Sequence, residues 1–215
     1  MCAKFTTLLL GLLATGSQAI AASVGSRTTT CPPSSPSPLT TANWIWTNEV
    51  TSSLETAPVG SRAFRGRLHT PTDQTPIAAT VTISTDNAYE LWVQGQLVGT
   101  HDDWTHAQVY TVPLPAVLQP ANQVVIAVNA TNDPGASQNE AGLIMAVNIE
   151  LACGAVVGYV TDGSWKFDGL LVGDMPQGYW EPNFNDEAWT GAFVEGPYGV
   201  APWGAIPVDA PAFSG

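Results

Sequence analysis

A period of two governs this chain. Tyr89, Leu91 and Val93 alternate with Glu90, Trp92 and Gln94, the pattern of a strand buried on one face. Gly95 in Gln94-Gly95-Gln96 breaks the run and Leu97-Val98 resumes it, which predicts a hairpin. The same alternation puts Val81 and Ile83 on one face, with Thr80, Thr82 and Ser84 on the other. Val124, Ile126 and Val128 share a face, and Leu143, Met145, Val147, Ile149 and Leu151 form the cleanest run. Residues 108–112 predict a further strand, and Pro113, Pro115 and Pro120 exclude strand from the connection that follows. Residues 156–160 and 164–167 predict a last hairpin around Asp162-Gly163. From Asp174 onward the chain is rich in Gly, Pro and Trp, which predicts irregular coil packed on a sheet. Many short alternating strands between Gly and Pro turns, with almost no helical periodicity, predict an all-β antiparallel β-sandwich or jelly roll.

The ends of the chain bear on its compartment. Lys4, then the apolar run from Leu8 to Leu13, then Ala19-Ile20-Ala21 have the form of a signal peptide over residues 1–21. That run is too short to span a bilayer, and no later segment is long and apolar enough for a membrane helix. A secreted chain starting near Ala22 is the expectation. Residues 22–41 are rich in Ser, Thr and Pro and read as an extended tail that suits O-glycosylation. Residues 42–215 then form one domain with a real core. Cys2 leaves with the signal, so Cys31 and Cys153 remain as an even pair in an oxidising compartment, and a disulfide between them is expected. Asn129-Ala130-Thr131 is an N-glycosylation sequon, expected at a surface strand end.

The formal charge is −12, and Lys166 is the last lysine once Lys4 is removed. Such a surface repels nucleic acid phosphates and disfavours anionic membranes. It selects no ligand by itself.

Successive strands of an antiparallel sandwich reverse direction, so alternate loops share an end. Three loops then meet at one end: Asp86 with Asn87; His101, Asp102, Asp103, Trp104 and His106; and Asn132, Asp133, Asn139 and Glu140. The opposite end carries mainly Gln, Gly and Pro. Carboxylates and amides accept and donate to sugar hydroxyls, and Trp104 offers an aromatic face to the C–H side of a sugar ring. The same oxygens suit Ca²⁺, with Asp102 and Asp103 as candidate ligands. The competing reading is that Asp and Asn fill these loops because they make turns. His101 and His106 read as solvated loop histidines, because a zinc site wants a further ligand at fixed geometry. Trp92, on the polar face of its strand, is expected to lie under residues 44–46 or under the C-terminal coil.

A family resemblance joins these pieces. Ala42-Asn43-Trp44-Ile45-Trp46, then Ala63-Phe64-Arg65-Gly66-Arg67-Leu68, then the stretch from Asp86 to Gly95 with Val98-Gly99, is similar to the N-terminal β-sandwich modules of α-L-rhamnosidases. Ala141-Gly142-Leu143-Ile144, Asp162-Gly163-Ser164-Trp165, Asn185-Asp186-Glu187-Ala188-Trp189 and Pro202-Trp203-Gly204 follow in the same order. The resemblance covers about residues 42–205. It implies a galactose-binding-like fold and non-catalytic sugar binding, with calcium in some members. The family's usual Asn before the turn glycine is Gln94 here.

The expected function is therefore a secreted, lectin-like carbohydrate-binding protein. Its expected sugar is rhamnose, galactose or a relative, held by Asp86, Asn87, Asp102, Asp103, Trp104, Asn132 and Asp133. The alternative is a secreted structural or interaction protein of a cell wall or host interface, with no sugar site. An enzyme is disfavoured: no Gly-x-Ser-x-Gly elbow appears, and the acids show no defined catalytic pair.

Overall fold

A computed structural model describes residues 30–135, 139–169 and 175–211. The strands are β1 (Asn43–Trp46), β2 (Gly60–His69), β3 (Pro76–Asp86), β4 (Ala88–Val93), β5 (Gln96–His101), β6 (Gln108–Pro113), β7 (Gln123–Asn132), β8 (Gly142–Leu151), β9 (Val156–Val160), β10 (Lys166–Phe167), β11 (Thr190–Gly191) and β12 (Phe193–Pro197). Among the described residues one 3-10 turn, Leu39–Thr41, precedes them. One sheet runs β12-β1-β8-β3-β6, with β9 sharing the β1 edge of β8. The other runs β11-β10-β2-β7-β4-β5. All these strand pairs are antiparallel. Among the described residues no helix is long and apolar enough to cross a membrane.

The alternating residues fill the space between the sheets. Val81, Ile83, Leu143, Met145, Val147 and Ile149 from the first sheet face Phe64, Leu91, Val93, Val124, Ile126 and Val128 from the second. Burying each such side chain is worth about 1.5–3 kcal/mol. The hairpin of β4 and β5 forms as the alternation predicts, turning at Gln94 and Gly95. Gly95 sits at φ +80, where glycine meets no Cβ penalty.

Both outer faces are also covered. On the first sheet, Trp44, Ile144 and Ala146 pack against Trp203 and Ile206, with Trp104 and Tyr198 at the margin. Trp44 and Trp203 stack at 4.2 Å between centroids. A Cβ on Gly142 would lie 2.7 Å from the Trp203 ring and 2.8 Å from Trp44. Gly142→Ala should therefore overpack this stack and cost about 1–3 kcal/mol, read from urea unfolding. An unchanged midpoint would show that the rings can yield.

On the second sheet, the coil of residues 175–189 lays Tyr179, Trp180, Phe184 and Trp189 over Ala63 and Ala127. Trp92 stacks on Trp180 at 5.5 Å, so the C-terminal coil covers it. The coil is held by charge. Arg65 Nε donates to Asp186 Oδ2 at 2.8 Å, and Arg67 Nε donates to the same oxygen at 2.9 Å. Arg65 Nη1 donates to the Tyr179 and Glu181 carbonyls, and Arg67 Nη2 donates to the Phe184 carbonyl.

Several expectations need correction. Residues 156–160 and 164–167 do not pair as a hairpin. β9 joins β8 in one sheet, whereas β10 pairs β2 and β11 in the other. The chain switches sheets at Thr161, whose Oγ1 donates to the Asn43 carbonyl and whose N–H donates to the Met145 carbonyl. Trp165 Nε1 bonds back to the Val160 carbonyl, and its ring fills the space beside Gly66. The C-terminal part is not coil throughout: β11 and β12 add strands to both sheets. Pro113 ends β6 rather than lying outside it.

The stretch read as a tail is docked where it is described. Ser35 bridges Val157, the Ser37 N–H donates to Asn148 Oδ1, and Leu39 is buried. The expected disulfide joins Cys31 to Cys153, with Cα atoms 5.8 Å apart. Residues 22–29 lie outside the described residues. Asn129 is not at a surface strand end: it lies inside β7, paired with Ala63 and Glu90 on its two sides. Its Nδ2 donates to Glu90 Oε2 at 2.9 Å, and its Oδ1 is sealed from solvent.

Candidate functional site

Strand register brings the three polar loops to one end. Asp86 pairs with Gly142, Ile83 with Gln108, Ala88 with Thr131, and Tyr89 with His101. The β3–β4, β5–β6 and β7–β8 connections therefore open on the same side. Residues 136–138 of the last of these lie outside the described residues.

The side chains do not all face outward there. Asp86 is 7% exposed and lies under Trp203, whose Nε1 donates to Oδ2 at 2.9 Å. Asn87 Nδ2 donates to the other oxygen at 2.8 Å. The Asp86–Asn87 peptide bond is cis. Asn87 also ties the first and third loops together: its N–H donates to the Thr131 carbonyl, and its Oδ1 accepts from the Asp133 N–H. Asn132 is fully buried, and its Nδ2 donates to the Ala57 and Pro58 carbonyls. Asp86 and Asn132 thus hold the loops in place.

Asp102, Asp103 and Asp133 are exposed, and Trp104 is half-buried at the rim of the outer Trp cluster. The Trp104 carbonyl accepts from Ser84 Oγ at 2.8 Å, which fixes the backbone at that point. Asp103 Oδ1 accepts from the N–H and hydroxyl of Thr105, a turn-making contact. His106 sits 3.7 Å from Asp103, while His101 meets Gln108. Among the described residues no group of three or more His, Cys, Asp or Glu side chains is placed to hold a metal ion.

No protein-family model matches the chain. It is 34% identical over 184 residues to an α-L-rhamnosidase of Streptomyces avermitilis, a match that covers 80% of this chain and 17% of the enzyme. The structure of a Streptomyces avermitilis α-L-rhamnosidase with L-rhamnose superposes with a TM-score of 0.64 and 32% identity over 82% of this chain. The Pleurotus ostreatus lectin superposes with a TM-score of 0.69 and 37% identity, over 84% of this chain and 49% of the lectin. A structure of that lectin with GalNAc gives the same score and identity. The protein is a galactose-binding-like β-sandwich. It resembles the carbohydrate-binding modules of α-L-rhamnosidases. The chain spans about half the length of the lectin and a small part of the enzyme.

Electrostatics adds residues to the loop end of this galactose-binding-like domain that sequence reading missed. Burial pushes the Asp86 carboxyl up to about 6; the Trp203 hydrogen bond opposes this and the Glu140 charge adds to it. Burial pushes the Glu195 carboxyl up to about 9, and the Asp86 charge adds to it. Glu195 Oε2 is sealed from solvent and has no hydrogen-bond partner among the described residues. Nothing in the sequence around Val194, Glu195 and Gly196 signals this, because the contact depends on β12 pairing with β1. Thr105 holds the exposed Asp103 carboxyl below its ordinary value through its side-chain and backbone hydrogen bonds.

Proposed function

We propose that this chain is a secreted, non-catalytic carbohydrate-binding protein of lectin type, and that its loop end holds the sugar. One observation carries the reading: three loops bearing Asn87, Asp102, Asp103, Trp104 and Asp133 open at one end of the sandwich. Support comes from the relatives, one of them a lectin described with GalNAc and another an enzyme described with L-rhamnose. Trp104 supplies the aromatic face, and the exposed carboxylates accept hydrogen bonds from sugar hydroxyls. Asp86 and Asn132 act from beneath by setting loop shape. An open site of this kind buries little of its ligand, so the expected affinity is modest.

Calcium enters the proposal as a separate arm. Asp102 and Asp103 keep exposed carboxylates that suit a hard cation once other oxygens join them. A glycan array probed with and without EDTA reads sugar and ion together. Trp104→Ala should weaken sugar retention at least about tenfold, which is the loss of one good stacking contact, and leave the unfolding midpoint within about 1 kcal/mol. Retention unchanged in Trp104→Ala would remove the loop end from consideration. A second reading, a structural protein without a sugar site, draws on the internal hydrogen bonds that already occupy Asp86, Asp103 and Asn132. Silence on the array with and without calcium would favour it.

A further inference from the structure

The basic residues of this acidic chain are not scattered. Six Lys and Arg occur in all: Lys4, Arg27, Arg62, Arg65, Arg67 and Lys166. Arg62 is consumed by a two-pronged pair with Glu49, at 2.6 and 2.9 Å. Arg65, Arg67 and Lys166 instead line one cleft of about 360 Å³, together with His69, Trp165 and Asp186. The cleft lies beside β2, away from the three polar loops. β10 covers β2 only at Phe64 and Arg65, so no described strand pairs that edge from Gly66 to His69.

Charge in this cleft does not balance. Arg65 and Arg67 share the single carboxylate of Asp186. Lys166 Nζ donates to the Asp186 backbone carbonyl at 3.0 Å. Three cationic side chains therefore line the cleft with one carboxylate, that of Asp186, on a chain whose formal charge is −12. Pinning the coil of residues 175–189 accounts for Arg65, which is 1% exposed. Lys166 also reaches the coil, through the Asp186 carbonyl, but it lines the open cleft, as does the outer part of Arg67, whose side chain is 27% exposed. Among the described residues Arg67 Nη1 holds only a long contact of 3.4 Å to Gln123. Arg65 Nη2 is sealed beneath them without a hydrogen-bond partner among the described residues. Donors left over around a cleft are the ingredients of an oxyanion site.

We propose that this cleft binds the oxyanion of an acidic saccharide, a uronic acid carboxylate or a sulfate ester, with Lys166 and Arg67 as its direct contacts and His69 at the rim. The choice of a saccharide rests on the carbohydrate-binding reading given above. The anion preference rests on the cleft alone. A volume near 360 Å³ suits one or two sugar rings. Overall negative charge does not forbid this, because at about 0.15 M salt charges more than ~8 Å away are largely screened and the local cations dominate.

The test titrates the full chain at about 0.15 M salt with trigalacturonic acid, sulfated dextran, and neutral L-rhamnose and galactose. Wild-type protein should bind at least one acidic probe. Lys166→Glu and, independently, His69→Glu should weaken that binding about tenfold or more, the scale of one charge-assisted hydrogen bond. Neutral-sugar binding, which reads the loop end, should not change. Binding to trigalacturonic acid assigns the carboxylate, and binding to sulfated dextran alone assigns the ester. His69 is exposed, so His69→Glu keeps the test open if Lys166→Glu fails to fold. No binding of either acidic probe by wild type overturns the proposal, as does undiminished binding in both variants. Failure on neutral sugars alone would instead count against the loop end.

Discussion

Asp186→Ala should cost about 3–5 kcal/mol and free the aromatic coil from its sheet. Asp186 is 3% exposed and Arg65 1%. Removing the carboxylate strands a guanidinium in a site that water does not reach, and Arg67 loses the same partner. The carbonyls of Tyr179 and Glu181 remain for Arg65, but they carry no full charge. Burial alone would push the Asp186 carboxyl up, yet the hydrogen bonds and charges of Arg67 and Arg65 outweigh it and hold the group below its ordinary value. That contribution is present above the unfolded carboxyl pKa and is lost as pH falls through the lowered folded value. Urea unfolding gives the energy, and Trp emission reports whether Trp92 and Trp180 become wet. Adding Arg65→Met to Asp186→Ala should recover part of the loss, since it removes the stranded charge. A cost under about 1 kcal/mol would show that the aromatic contacts hold the coil without the ion pairs.

Above pH 5 the stability of this domain should fall, by about 2–4 kcal/mol up to about pH 8, and Glu195→Gln should abolish most of that fall. The folded state raises both Glu195, to about 9, and Asp86, to about 6. Each therefore contributes stability that is complete below its unfolded pKa and is lost as pH rises through its folded one. For Asp86 that window closes near pH 6. For Glu195 it stays open to about 9. One pH unit inside such a window is worth about 1.4 kcal/mol per group. Glu195 as a whole is half-buried, so water reaching its stem trims the total. At about pH 8 Glu195→Gln should be more stable than wild type, and at about pH 4.5 nearly equal to it. Equal gains at both values would mean that shape rather than charge is responsible. Combined with the acid-side loss at Asp186, the two effects place the stability maximum in mildly acidic solution.

The period-two runs carried most of the fold. Val124, Ile126, Val128 and the odd-numbered residues of β8 lie between the sheets because a pleated strand leaves them no other face. Register followed from the same alternation, and with it the common end of the three loops. The sheet switch at Thr161 was not legible: Asp162-Gly163 is a local turn signal, and only the distant partners Asn43 and Phe64 decide which sheet each flank joins. β12 hid behind Gly196 and Pro197, residues that read as loop. At the site, residue type identified the exposed carboxylates and Trp104. It could not show that Asp86 lies beneath Trp203, a residue of the C-terminal segment. The basic cleft was equally hidden, because Arg67 and Lys166 meet only after β10 has paired with β2.

β1 pairs with no strand nearer in sequence than β8, where Ile45 meets Leu143, and its other edge is completed by β12. Trp44, Ile45 and Trp46, all fully buried at the end, must therefore wait through most of synthesis before either neighbour exists. Such distant pairing makes folding slow and leaves apolar surface open to stray association meanwhile. Slow closure, rather than weakness of the finished sandwich, is the cost of completing a sheet with its first and last described strands.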